Sequence, residues 1–207
     1  MTVIVDYGVG NLFSLKSSFA AIGEDVKVSS DAEEIRLADR IILPGVGAFG
    51  DAAAKLENSG LKNVLIERAE AGVPFLGVCL GMQLLFDKSF EYGQHSGMGL
   101  IGGEIRPIAD FIDKDLKIPH IGWNSLKIIR KNPLLKYVHD GDYAYFVHSY
   151  CAVNCKNNIV AETEYGANIV AVVAKDNVMG CQFHPEKSGK VGLNILKAFC
   201  ETGTKKC

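Results

Sequence analysis

The chain has 207 residues, of which 48% are hydrophobic and 22% charged, a profile that excludes a disordered polypeptide and can fill a buried core. Its 22 basic and 24 acidic residues give a formal charge of -2 without long runs of one sign, so nothing in the charge pattern supports a nucleic-acid partner. No apolar run approaches membrane-spanning length, and no two of the six cysteines have the spacing of a zinc knuckle or redox pair, which argues against those classes as well.

Met1 and Thr2 lead directly into Val3-Ile4-Val5, a buried strand, without the basic and longer apolar regions of a leader. A cytoplasmic protein with mostly reduced, bystander cysteines is the expectation. A turn follows at Gly8-Val9-Gly10-Asn11. Leu12, Leu15, Phe19 and Ile22 then repeat at helical spacing, and Gly23 is placed to end that helix. Phe13 stands where a dinucleotide-binding loop has its third glycine, so Gly8 and Gly10 do not carry that reading.

Residues 26–28 and 41–43 read as further strands, the latter stopped by Pro44. Helical patterns cover residues 52–57 and 61–71, and residues 73–78 form a short apolar strand that ends at Cys79. This is the βαβ progression of a parallel sheet with crossover helices. Beyond Gly99 the pattern turns β-rich at 103–108, 123–129, 143–147, 159–164, 169–174 and 178–183, which reads as antiparallel or mixed strands appended to the parallel sheet. An amphipathic helix over 191–199 closes what reads as a single α/β domain, 1–207.

Two segments carry chemistry. Gly77-Val78-Cys79-Leu80-Gly81 lies where a strand turns into a helix containing Leu80, Leu84 and Leu85, with the spacing of a nucleophile elbow and cysteine in the nucleophile's place. Its glycines let strand and helix cross closely, the helix start favours a thiolate, and the Leu80 N–H is placed to donate to an oxyanion. A cysteine at a strand end is most often simply buried; the paired glycines and a histidine late in the chain favour the catalytic reading. Cys181 lacks such glycines on both sides and reads as core. In Gln182-Phe183-His184-Pro185-Glu186-Lys187-Ser188, Pro185 ends the last strand. His184 and Glu186, two apart in an extended segment, share one side, so the carboxylate can orient an imidazole that shuttles a proton for Cys79. His95 and His139 read as solvated, His120 follows Pro119 in an extended segment, and His148 ends a strand. No histidine has metal-site spacing, so neither metal nor cofactor is expected.

The Gly-x-Cys-x-Gly-x-Gln context of Cys79, the Pro-Gly-Val-Gly loop at 44–47 and the late His-Pro-Glu together resemble the class I (triad) glutamine amidotransferases. Lys117-Ile118-Pro119-His120-Ile121-Gly122-Trp123-Asn124 and Phe146-Val147-His148-Ser149-Tyr150, with the segment from Gln182 to Ser188, are similar to the glutaminase subunits of imidazole glycerol phosphate synthases. The resemblance covers essentially the whole chain. It implies a flavodoxin-like three-layer fold, with a mostly parallel sheet flanked by helices, and a triad of Cys79, His184 and Glu186. It implies an oxyanion strand at Gly45, Val46 and Gly47, completed by Leu80, and contacts to L-glutamine from Gln83, His148, Ser149 and Tyr150. It places Asn11, Trp123, Asn124, Tyr145 and Lys187 at the interface of a heterodimer with a cyclase-type (β/α)8 synthase subunit, which would receive the ammonia for histidine biosynthesis. The stretch 91–97 is longer than its counterpart in that family, and Gly102-Gly103 stands where Pro-Gly is frequent. Three other functions remain open at this level: a paralogue feeding a sugar amidotransferase, a stand-alone cysteine hydrolase, and a catalytically silent binding subunit.

Overall fold

A computed structural model describes residues 1–203, so Cys207 lies outside the described residues. In chain order the elements are β1 (Thr2–Val5), α1 (Leu12–Ala21), β2 (Val26–Ser29), α2 (Ala32–Arg36), β3 (Arg40–Leu43), α3 (Phe49–Asn58), α4 (Leu61–Glu70) and β4 (Phe75–Val78). There follow α5 (Leu80–Gln83), β5 (Phe86–Ser89), β6 (His95–Ser96), β7 (Ile101–Pro107), β8 (His120–Ser125), β9 (Lys127–Ile128) and β10 (Tyr143–His148). The chain ends with β11 (Tyr150–Val153), β12 (Ile159–Glu164), β13 (Asn168–Lys175), β14 (Val178–Cys181) and α6 (Gly189–Cys200).

The main sheet has the order β2-β1-β3-β4-β14-β13-β12-β9. Its first five strands run parallel, and β13, β12 and β9 extend it antiparallel. Helices cover both faces, which is why β1, β4 and β14 are buried at every residue and read as continuous apolar runs rather than alternating ones. On one face Phe49, Leu56, Leu61 and Leu65 of α3 and α4 pack with Phe86, Ile101 and Ile105. On the other, Leu15 and Phe19 of α1 meet Ile195, Leu196 and Phe199 of α6 and Phe146 of β10. Each fully buried side chain of this size contributes roughly 1.5–3 kcal/mol.

The sheet departs from the sequence reading in one respect that matters for the site. The segments at 103–108 and 143–147 do not join the main sheet: β7 belongs to a second sheet, β11-β7-β5-β6, and among the described residues β10 pairs with β8 alone. The stretch expected as one strand over 123–129 is broken at Leu126, which is buried. Its N–H bonds the carbonyl of Asp142 and its own carbonyl accepts from Gly141, so β8 and β9 enter different sheets. Helix α2 had no pattern to reveal it, because five residues are too few for a helical period; Asp31 starts it by accepting from the Glu33 and Glu34 N–H groups.

Helix α5 is also shorter than expected. It ends at Gln83 because the chain at once turns into β5, where Ile101 N–H bonds the carbonyl of Leu85 and Phe86 pairs with Ile101. The last strand by sequence, β14, lies between β4 and β13 near the middle of the sheet. Its end therefore stands beside the end of β4.

Candidate active site

The ends of β4 and β14 bring together segments about a hundred residues apart. Cys79 follows β4 with φ 54° and ψ -113°, a left-handed backbone for a residue with a side chain, held because its N–H bonds the carbonyl of Cys181 and its carbonyl receives Gln83 N–H. The flanking glycines are required by space. A Cβ on Gly81 would lie 1.9 Å from the carbonyl oxygen of Leu43, and one on Gly77 2.6 Å from that of Gly81. A one-turn helix offers little macrodipole, so the help the sulfur needs for chemistry must come from side chains.

His184 supplies it. Its ring is buried and lines the cavity with Cys79, while Nδ1 meets Glu186 Oε1 at 2.9 Å. Burial alone would lower the imidazolium's pKa; the bonds to Cys79 and Glu186, with their negative charges, outweigh it and raise His184 to about 10. The His–Glu pairing does not come from strand alternation, as the sequence suggested. Residues Pro185–Lys187 form a 3-10 turn begun by the proline, and that turn carries Glu186 back to the ring. Backbone bonds anchor the turn. His184 N–H donates to the carbonyl of Tyr145, and the Ser188 hydroxyl accepts from Tyr145 N–H and donates to the carbonyl of His184. Phe183 is fully buried edge-to-face with Phe146, ring centroids 5.5 Å apart, a contact whose loss costs about 3–5 kcal/mol on truncation to alanine.

A cavity of about 540 Å³ opens at the sulfur. Among the expected residues, Val46, Gly47, Leu80, Gln83, His148, Ser149 and Tyr150 line it with Cys79 and His184. Gly45 lies behind, pressed on the elbow: a Cβ there would stand 2.6 Å from the Gly81 nitrogen, so close packing, and not a left-handed backbone, explains it. Gly47 does adopt φ +92°, which suits glycine. The loop is also tied by Tyr7, whose hydroxyl donates to the carbonyl of Pro44 at 2.8 Å. Burial, and then the charge of Cys79, raises the Tyr7 pKa and keeps it a phenol.

Sequence reasoning assigned Gln83 to the site but missed Gln182 and Glu91. Gln83 donates through Nε2 to Gln182 Oε1 at 3.0 Å and to the carbonyl of Tyr150 at 3.3 Å, and Gln182 Nε2 reaches Cys79 Sγ at 3.8 Å. Gln182 stood within the quoted His-Pro-Glu segment but gave no sign of facing the sulfur. Glu91 lines the cavity as a buried carboxylate. Its Oε2 accepts from Phe49 N–H at 2.5 Å, capping α3, whose own Ala48 cannot. Burial raises its pKa above the usual carboxylate value, although the Phe49 N–H pulls the other way. Among the described residues that line the cavity there is no lysine or arginine.

The residues expected at a partner surface divide. On β8, Ile121 and Trp123 point outward and are exposed, as are Ile118 and Tyr143, and Trp123 packs edge-on to Tyr145. Lys187 Nζ sits 5.8 Å from the Tyr145 ring centroid. Asn11 caps α1 by accepting from Ser14 N–H. Asn124, next to Trp123 on a strand, necessarily faces the opposite way and bonds His120 Nε2 and, at an exposed contact, the carbonyl of Glu164.

Comparison with known proteins follows this geometry. The family model "Glutamine amidotransferase class-I" matches residues 3–202. Imidazole glycerol phosphate synthase subunit HisH of Lactococcus lactis is 49% identical over 96% of this chain and 97% of its own. The protein of that name from Caldanaerobacter subterraneus is 51% identical over 97% of this chain and 98% of its own, and that of Aquifex aeolicus 46% over 96% and 95%. Among solved structures, PurLQS from Thermotoga maritima superposes with a TM-score of 0.74 at 20% identity, covering 96% of each chain. A crystal structure of a glutamine amidotransferase gives 0.74 at 16% identity over 96% of this chain and 98% of its own. At those identities the two structures show the fold alone.

Proposed function

The chain belongs to the class-I glutamine amidotransferases, and on that footing we propose that it is the glutaminase subunit of an imidazole glycerol phosphate synthase, with Cys79, His184 and Glu186 as its catalytic residues. The observation that carries the reading is the run from Cys79 through His184 to Glu186 at a strained elbow opening into a cavity of amino-acid size.

Cys79 attacks the side-chain carboxamide of L-glutamine, and the Leu80 and Val46 N–H groups receive the developing oxyanion. His184, already protonated in its pair with Cys79 and Glu186, gives its proton to departing ammonia. It then takes one from the water that hydrolyses the glutamyl thioester, leaving glutamate. Gln83 and the backbone of 148–150 hold the amino-acid end, with the Glu91 carboxylate complementary to its ammonium group. No cofactor or metal enters this scheme.

The relatives are named as subunits of a synthase, and the acceptor in this reading is a second, cyclase-type (β/α)8 subunit. The exposed apolar edge of Ile118, Ile121, Trp123 and Tyr143, with Tyr145 and Lys187 beside it, is the surface we assign to docking, since an exposed apolar cluster of this kind marks an interaction site. Asn11 and Asn124 act there by holding backbone rather than by reaching across. Ammonia passes to the partner and is incorporated in histidine biosynthesis within the cytoplasm; no described helix is long and apolar enough to cross a membrane.

The test is product formation by this chain with a (β/α)8 synthase subunit, fed either glutamine or free ammonia. Cys79→Ala should abolish the glutamine-dependent reaction, a loss of at least about 10⁴-fold, and leave the ammonia-dependent one intact. Glutamine-dependent activity only with a sugar acceptor would move the chain to another synthase. Activity that survives Cys79→Ala would remove the nucleophile.

A further inference from the structure

Behind the segment 148–150 a chain of hydrogen bonds runs away from the cavity, buried where His148 meets His120 and exposed at its Asn124–Glu164 end. His148 Nδ1 meets the carbonyl of Tyr150 at 2.8 Å, His148 Nε2 meets His120 Nδ1 at 3.0 Å, and His120 Nε2 meets Asn124 Oδ1 at 2.8 Å. Asn124 Nδ2 then meets the carbonyl of Glu164 at 3.0 Å. Both histidines are buried, His120 completely, with Tyr165 stacked on its ring at 4.0 Å and Phe146 at 5.1 Å.

The two ends of this chain are carbonyl oxygens, which only accept. From the Glu164 end, Asn124 must present its NH2, so Oδ1 faces His120 and His120 Nε2 must carry a proton. From the Tyr150 end, His148 Nδ1 must carry one. If both rings are neutral, His120 Nδ1 and His148 Nε2 are then two lone pairs facing each other at 3.0 Å. Turning either ring's tautomer moves the conflict to a neighbouring contact, and turning the amide gives up the Asn124–Glu164 hydrogen bond at the exposed end, because three two-sided groups each bring one proton to four contacts.

We propose that His120 and His148 hold one additional proton between them, and that this buried positive charge is the electrostatic complement to the α-carboxylate of the substrate glutamine, with His120 a positioning residue acting through His148. The second half rests on the glutamine reading above. Among the described residues that line the cavity there is one carboxylate, Glu91, and no lysine or arginine, yet the cavity must take a zwitterionic amino acid; His148 stands at its wall, where the shared proton supplies a compensating charge.

Burial opposes the proton. It lowers the pKa of His120, and together with the charges of His120 and His184 it lowers that of His148 to about 4. The groups that act on the pair are the two rings themselves, His184 across the cavity, Asn124, and the backbone carbonyl of Tyr150; Tyr165 offers only its ring face. Against this stands a short N–H···N contact that exists only with the proton present, between groups whose other ring nitrogens are already committed to acceptors. Charge-assisted bonds of that type are about twice as strong as neutral ones. A neutral pair leaves two buried acceptors opposed.

Imidazole nitrogen NMR of the ¹⁵N-histidine-labelled wild-type chain tests the proton directly. Three N–H protons on the pair at neutral pH are expected, and two would overturn the proposal without reference to any substrate. For the carboxylate role, His120→Phe, which keeps the stacking, is assayed in complex with the synthase partner on L-glutamine and on L-glutaminamide, whose α-carboxylate is replaced by an amide. The glutamine KM should rise about tenfold, the size of one lost charge-assisted contact, while that for glutaminamide stays within about twofold. An equal rise for both means that the substitution disturbs packing only, and overturns the carboxylate role. Wild-type protein that hydrolyses neither compound removes the glutamine reading itself, while the proton count stands or falls separately.

Discussion

The two ends of the site treat a buried imidazole in opposite ways. At the β14 end, His184 sits between a thiol and a carboxylate, and their negative charge overcomes burial to hold it protonated up to about pH 10. At the β10 end, His148 has a carbonyl and a second imidazole for neighbours, and burial pushes it down to about 4. The same side chain, nearly equally hidden from solvent, is thus held protonated by anionic partners at one end, and at the other keeps the proposed proton only by sharing it with a second imidazole. The two ends are joined through Tyr150, Gln83, Gln182 and Cys79.

Three substitutions would break or sharpen this contrast. The largest effect is expected from His184→Gln, which removes the proton carrier and should lower glutaminase kcat by about 10³-fold or more. The same variant has a signature in stability. A group raised from about 6.5 to about 10 stabilises the fold fully below the lower value, and that contribution is lost as pH rises through the upper one. Denaturation midpoints should therefore show wild type losing ground to His184→Gln between roughly pH 6.5 and 10; parallel curves would mean that His184 is not raised. Next in size is Gln182→Leu, which severs the link between the ends. Gln83 would lose an acceptor and Cys79 a donor, so kcat/KM for glutamine should fall roughly 10- to 100-fold while the pH profile set by His184 keeps its shape. A shifted profile would show that Gln182 tunes the triad itself.

The smallest effect is expected from Glu91→Gln. It leaves an oxygen to accept from Phe49 N–H, so α3 should lose no more than about 1 kcal/mol by thermal unfolding. The glutamine KM should nevertheless rise about tenfold through loss of the charge facing the ammonium group. A KM that does not move would make Glu91 a helix cap alone.

Much of this was legible in the chain itself. Strands of continuous apolar residues, helices with a regular stripe and the glycines around Cys79 all report local physics, which neighbouring residues suffice to express. Where local rules were stretched, the structure differs. Glu186 reaches His184 through a turn, not along a strand, because Pro185 begins a 3-10 helix. Asn124 cannot share a face with Trp123, since adjacent strand residues point opposite ways. That distinction was available from alternation once β8 was known to be a strand.

Sequence by itself singled out the proposed nucleophile with its imidazole and carboxylate, and determined the α/β character of the domain, because each depends on spacings of a few residues and on side-chain chemistry. Only the tertiary structure decided that β14 lies beside β4 and so sets His184 against Cys79, that Gln182 turns to the sulfur, that Glu91 closes the cavity from a distant loop, and that His120 stands behind His148. Those are pairings between segments tens of residues apart. They are fixed by which apolar faces can be buried together, and no local pattern records that outcome.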